Sequence, residues 1–327
     1  MKRREFIRQL AGATVAAWPI AARAQQQALP AIGFLNSASP GPFASRVRAF
    51  HQGLGEAGFV EGRNVAVEYR WVEGNYDQAP IMMRDLIDRR VAVVAAFGPP
   101  VAKVAKDAAG TIPIVFLTGD DPVQAGLVAS LNRPGGNITG VVTLNAELAP
   151  KRLELLRELM PGATSVGLLI NPSRPNAEIL VRDMAAAART LLLEPHVLHA
   201  STDPGFDTAF GKAVQDKIGG VVIATDVFFN SRNKQLGELS ARQGVPTIFQ
   251  FREFAAGGGL VSYAASNTDT YRQVGAYVGR VLKGEKPSDL PVVQPAKFDL
   301  ILNLKTAKAL GLTIPATLAA RATEVIE

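Results

Sequence analysis

Residues 91–117, VAVVAAFGPPVAKVAKDAAGTIPIVFL, carry the pattern that decides the fold. Two runs within it, VAVVAAF (91–97) and IPIVFL (112–117), are apolar at successive rather than alternate positions. That is the pattern of strands covered on both faces, as in a parallel sheet. The segment between them is predicted to be helical near 100–109, which makes the stretch a strand–helix–strand unit.

The same beat extends in both directions. AIGFLN (31–36) is strand-like and leads through SASPGP into a helix over 43–58, with Phe43, Val47, Phe50, Leu54 and Ala57 at helical spacing and Gly58 as its stop. NVAVEYRW (64–71) precedes a helix over 76–89, and a helix over 122–131 is followed by NITGVVTL (137–144). A second series begins with the helix KRLELLRELM (151–160), stopped by Pro161-Gly162. Strands over 164–170, 195–200, 219–225 and 245–251 then alternate with helices over 176–192, 207–217 and 231–243. The fold class expected is α/β, with two doubly wound parallel-sheet lobes. GGGLVSYA (257–264), a helix over 268–282 and KFDLILN (297–303) are too few elements for a third sheet. They are expected to complete the first two, so that three crossings form a hinge. The expected lobes are 29–144 plus 251–287, and 145–250 plus 288–327.

Residues 1–24 read as an export leader. Arg3-Arg4-Glu5-Phe6-Ile7 is a basic head, Leu10 to Ala22 is apolar, and Ala22-Arg23-Ala24 is a small-x-small cleavage signal. The paired arginines resemble a twin-arginine signal, and an ordinary secretory leader is the alternative. Either places the mature protein in the periplasm. The leader holds five basic residues and one acid, so the mature chain has 30 basic against 28 acidic residues and a net charge of +2 rather than +6. Nothing in that balance favours a nucleic-acid partner. The chain has no cysteine, which excludes thiol chemistry, disulfides and a lipid-modified cysteine anchor.

In an open α/β sheet the loops at the carboxyl ends of the strands line the ligand crevice. Those loops carry Ser37, Gly98-Pro99-Pro100, Asp120-Asp121, Asn171, Asp226 with Phe228 and Phe229, and Phe251. Such residues suit a small amphiphilic ligand: helix-start N–H groups for a carboxylate, an aspartate for a cation, an aromatic ring for an apolar part. Each taken singly also suits a turn or N-cap, and Asp121 before Pro122 is a cap candidate. No catalytic or metal constellation is visible. His196 and His199 fall in a β-like run, where three apart means opposite faces. Gly257-Gly258-Gly259 precedes a strand, the wrong order for a phosphate loop. No cofactor is expected.

The blocks GFLN, FHQGLGEAGFVEGRNVAVEYRWVEGNYDQ, IPIVFLTGDDPVQAGLVASLNRPGGNITGV, KRLELLRELMPG, FQFREFAAGGGLVSY and NLKTAKALGLTIP together resemble the ABC-transporter substrate-binding protein family, in its tryptophan/tyrosine-type branch. The resemblance spans residues 29–327. It implies a type I periplasmic-binding fold, a small-molecule ligand enclosed by lobe closure, an inner-membrane ABC permease as partner, and a monomer. Carried over by position, it implies first-lobe contacts from Ser37, Gly98-Pro99-Pro100 and Asp120-Asp121. The second lobe would contribute Asn171, Asn176 and Asp226, with Phe251 and Tyr263 near the hinge. Where relatives show a Gly-Thr-Pro or Gly-Ser-Pro turn, this chain has Gly98-Pro99-Pro100, losing a hydroxyl and a backbone donor. A sensory receptor on the same fold and a secreted two-domain enzyme are the alternative readings.

Replacing Arg3 and Arg4 by Lys tests the leader. Accumulation of unprocessed precursor in the cytoplasmic fraction is the outcome expected for the twin-arginine route, and normal processing assigns the general secretory one.

Overall fold

The computed structural model describes residues 29–174 and 177–327; the leader and Asn176 lie outside the described residues. Two sheets organise the chain. The first contains β1 (Ala31–Asn36), β2 (Ala66–Trp71), β3 (Val93–Phe97), β4 (Ile114–Thr118) and β5 (Ile138–Val142), in the order β2-β1-β3-β4-β5 and all parallel. The second contains β6 (Ser165–Ile170), β7 (Glu194–His199), β8 (Val221–Ile223), β9 (Thr247–Phe249), β10 (Val261–Ala265), β11 (Phe298–Asn303) and β12 (Glu324–Ile326), in the order β12-β11-β10-β9-β8-β6-β7.

The central strands of both sheets are buried on both faces, which is why they are apolar at successive positions, whereas the edge strands β2, β7 and β12 are partly exposed and carry charged or polar residues. Val93, Ala95 and Phe97 of β3 enter one core of the first lobe, whereas Val94 and Ala96 enter the other. In the second lobe Leu168 and Ile170 of β6 face one core and Leu169 the opposite one. One pair in the second sheet, β10–β11, is antiparallel. Its direction follows from the path: β10 runs out toward the first lobe and β11 returns from it.

The chain crosses between lobes three times: after β5, after β10, and between Val293 and β11. Helix Asn267–Leu282 lies in the first lobe against helix Ala44–Glu56, and the two backbones touch. A Cβ on Gly53 would fall 1.8 Å from the Arg272 carbonyl oxygen, and one on Gly275 2.0 Å from that of Phe50. The segment that follows stays with the same lobe. Thr139 Oγ1 donates to the Leu290 carbonyl at 2.6 Å, and the Val293 N–H to that of Gly140 at 2.9 Å.

These contacts redraw the expected lobe boundaries. Residues 251–265 belong to the second lobe rather than the first: Phe254 and Leu260 pack in its cores, Val261 and Ser262 pair with β9, and the chain crosses only at Ser266. Residues 288–293 belong with the first lobe through the bonds just named. The helix expected over 122–131 is also absent; turns replace it. The Asp121 carboxylate accepts from the Val123 and Gln124 N–H groups at 2.7 and 3.2 Å, and Gly126 adopts φ +65°, which stops a helix after one turn. Leu127 and Val128 are nonetheless buried, which produced the apolar spacing.

Gly275→Ala is expected to destabilise the protein by about 1–3 kcal/mol, the usual cost of overpacking a close contact. Urea denaturation measures it, and an unchanged midpoint would contradict the backbone contact.

Candidate functional site

The loops at the carboxyl ends of the two sets of strands face each other across a cleft, and side chains already span it. Arg174, after β6, donates through Nη2 to Asp120 Oδ1, after β4, at 2.8 Å. Thr225, after β8, donates to the carbonyl of Asn145 on the first crossing at 3.1 Å. Arg46, on helix Ala44–Glu56, pairs with Glu253 of the second lobe at 3.1 Å. Its guanidinium lies 4.1 Å from the Phe43 ring centre and 4.7 Å from that of Phe251.

On the first-lobe side, Ser37 follows β1 and its hydroxyl donates to the Phe97 carbonyl at 3.1 Å. Gly98 holds φ +111°, and a Cβ there would sit 2.3 Å from Ser37 Oγ, so only glycine fits. Pro99 and Pro100 open helix Pro99–Ala108, where their missing N–H groups cost the helix nothing but leave its first turn short of donors. Asp121 is spent on its turn, whereas Asp120 reaches across to Arg174. Burial raises the Glu147 carboxyl pKa, and the charges of Asp121 and Asp120 add to the effect.

On the second-lobe side, Asp226 is only 8% exposed and caps helix Val227–Ser231, its Oδ1 accepting from the Phe229 N–H at 3.2 Å. Asn171 Nδ2 donates to the same oxygen at 3.2 Å, while Asn171 Oδ1 accepts from the Ser173 N–H at 3.0 Å. Among the described residues no Lys or Arg pairs with Asp226. From the opposite lobe Tyr76 comes near it: burial raises the Tyr76 phenol pKa, and the Asp226 charge raises it further.

Not every expected residue joins this cleft. Phe228 stacks on Phe206 with ring centres 5.2 Å apart and packs into its own lobe's core, with Arg232 5.1 Å from the ring. Tyr263 stacks on Phe298 at 5.9 Å and packs against the opposite core, because alternate residues of β10 point to opposite faces. Phe251 is buried beside Arg46 and lines a cavity of about 240 Å³ at the lobe junction. His196 and His199 lie on the edge strand β7, and among the described residues no cluster of three His, Cys, Asp or Glu suits a metal ion.

Several important residues escape sequence reasoning. Arg152 is fully buried, and donates through Nε to the Tyr263 carbonyl at 2.8 Å and through Nη1 to that of Asn145 at 2.9 Å. Burial pushes its pKa down to about 9, which leaves it charged at neutral pH. Its signal was present: Arg152 shares the apolar stripe of its helix with Leu155, Leu156 and Leu159. Arg46 bears the same mark, on the buried face of its helix with Ala49, Phe50 and Leu54, whereas Arg174 carries none.

The family model described as ABC transporter substrate binding protein matches residues 40–326. A tyrosine-binding protein of Clostridioides difficile (strain R20291) is 26% identical over 265 residues, covering 81% of this chain and 76% of that one. A crystal structure of an ABC domain in complex with L-Trp, from Streptococcus pneumonia, is 25% identical, with a TM-score of 0.82 over 91% of this chain and 100% of that chain. A ligand-free, open substrate binding protein with adhesive properties from Clostridium difficile shares the fold at 22% identity and a TM-score of 0.68, over 91% of this chain and 99% of that one.

Arg174→Ala removes an ion pair between the lobes and is expected to shift the chain toward open forms by a few fold, the effect of about 0.5–1 kcal/mol for a partly exposed pair. Small-angle scattering of the ligand-free protein reads this as a larger radius of gyration, with the exposed Arg182→Ala as control. Identical curves for the two variants would contradict it.

Proposed function

The chain belongs to the ABC transporter substrate binding protein family, and from that premise we propose that it is a periplasmic receptor that closes on a free aromatic amino acid. The observation that carries the ligand class is Asp226, a buried carboxylate oriented by Asn171 and the Phe229 N–H and paired with no cation among the described residues. A buried carboxylate in a cleft is matched by an ammonium, whose three N–H donors supply the missing charge. Arg174, with one N–H bond to Asp120, is the cation offered by the same loops for the ligand carboxylate. The Gly98-Pro99-Pro100 turn contributes shape rather than donors, so carboxylate recognition shifts toward Arg174.

The printed names of the relatives support this reading: one is tyrosine-binding and one was solved with L-Trp. Residues on both lobes contact or approach the ligand loops, so a ligand held between Asp226 and the Asp120–Arg174 bridge stabilises the closed form over the open one. That closed form is what an inner-membrane permease would receive, with the receptor acting as a monomer and performing no chemistry of its own. Among the described residues no helix is long and apolar enough to cross a membrane.

L-Trp or L-Tyr is expected to raise the melting temperature of the purified protein, as any ligand confined to the native state must. Asp226→Asn is expected to weaken that ligand by about 30-fold, or roughly 2 kcal/mol, in calorimetric titration. If a panel of amino acids leaves the melting curve unmoved while a sugar shifts it, the ligand class is wrong.

A further inference from the structure

An amino acid held at Asp226 needs a wall for its side chain, and most aromatic rings near the cleft are spent elsewhere. Phe228 packs in the core of its own lobe, Tyr263 stacks on Phe298, and Phe251 covers the Arg46 guanidinium. Trp71 packs on Phe34 and Phe43 against the first-lobe core. Tyr76 differs from all of these. It is 39% exposed and joins neither first-lobe core. Among the described residues its ring pairs with no other aromatic ring and no arginine, and its hydroxyl makes no hydrogen bond.

A single exposed tyrosine is ordinary on a surface, but this one is held in place. It opens the short turn Tyr76–Gln78 after β2, and the connection leading to it is braced on the loop that carries Ser37. The Val72 N–H donates to the Asn36 carbonyl at 2.8 Å, and the Gly74 N–H to that of Ser37 at 3.0 Å. Val72 itself is buried in the core. Between them Glu73 and Gly74 take φ +53° and +79°, left-handed backbone that a glutamate keeps only where its surroundings fix it. Burial is the larger cause of the raised Tyr76 phenol pKa and the Asp226 charge the second, so the ring stands within reach of that carboxylate across the cleft.

We propose that Tyr76 is the residue that selects the ligand's side chain: its ring, carried by the first lobe, stacks on the aromatic ring of an amino acid whose ammonium sits on Asp226 of the second. This rests on the amino-acid reading of the cleft and adds to it the wall that tells aromatic from aliphatic. The two rings meet only when the lobes do, so an aromatic side chain favours closure more than an aliphatic one.

Titration calorimetry of the purified protein with L-Trp and L-Leu tests this. Tyr76→Leu keeps apolar area but loses the π-face, and is expected to weaken L-Trp by about fivefold while changing L-Leu by less than about twofold. Tyr76→Phe is expected to keep the wild-type affinity for L-Trp, because the ring rather than the hydroxyl makes the contact. Asp226→Asn is expected to weaken both amino acids by the same factor and so to leave the preference for L-Trp intact. Tyr76 lies outside both cores, so the ligand-free variants should melt with the wild-type protein. An unweakened L-Trp isotherm in Tyr76→Leu, an equal loss for L-Leu, or a Tyr76→Phe variant as weak as Tyr76→Leu would overturn the proposal and leave the amino-acid reading standing. Binding of neither amino acid to the wild-type protein would overturn both.

Discussion

Two lobes can move as units only if the strands between them are held in a fixed relation, and a single buried cation supplies much of that restraint. Arg152 bonds the carbonyls of Asn145 and Tyr263, one on the first crossing and one two residues before β10 ends. Asn145 adds to the knot, its side chain accepting from the Ala265 N–H at 3.3 Å and its carbonyl accepting from Thr225. Main-chain carbonyls, unlike carboxylates, cannot be neutralised by a proton, so the arrangement does not depend on an acid staying ionised. Its cost is the desolvation of a full charge, visible in the depressed pKa and in an Nη2 without a partner among the described residues.

Around that knot, electrostatics divides the cleft into unlike lips. The first lobe presents Asp120 and Asp121, with Glu147 beside them on the first crossing, and the second reaches over with Arg174. Deeper in, Asp226 is held by amide donors alone. A zwitterion therefore meets opposite preferences at its two ends, which fixes its orientation before any apolar contact is made. The Arg46 stack lies to one side, where aromatic rings from both lobes grip a single guanidinium.

The strands from β1 to β11 and their order of appearance are legible in the sequence because the central strands of each sheet are covered on both faces, which leaves runs such as 91–97 apolar throughout; β12, three half-exposed residues at a sheet edge, leaves no such run and was not expected. The same property hid the direction of individual side chains. With both faces apolar, nothing in LVSYA says that Ser262 and Tyr263 part company: Tyr263 lies near the hinge, as the resemblance implies, but its ring packs on Phe298 and a lobe core while Ser262 lines the cavity at the lobe junction. The helix expected over 122–131 failed because Asp121 and Gly126 prefer a turn, while tertiary burial of Leu127 and Val128 mimicked a helical stripe. Loop positions such as Asp120 and Asp226 could be placed near a crevice from topology alone. Arg174 could not, since its partner is 54 residues away and the contact exists only when the lobes meet.

The backbone contact between helices Ala44–Glu56 and Asn267–Leu282 bears on how the protein is made. The first lobe to be synthesised is missing a wall until residues near 293 have left the ribosome, because that wall is helix Asn267–Leu282 and the segment bonded to Gly140 and Thr139. The wall over its core residues Phe50 and Leu54 is not made until the second lobe has been translated through β10. Such non-local closure raises contact order and slows folding, so completion is a post-translational event in which the two ends of the chain must find each other. The second lobe shares the debt to late synthesis, since β11 and β12 come from the last thirty residues. Neither lobe is an independent module that could be cut out of the chain at a single point.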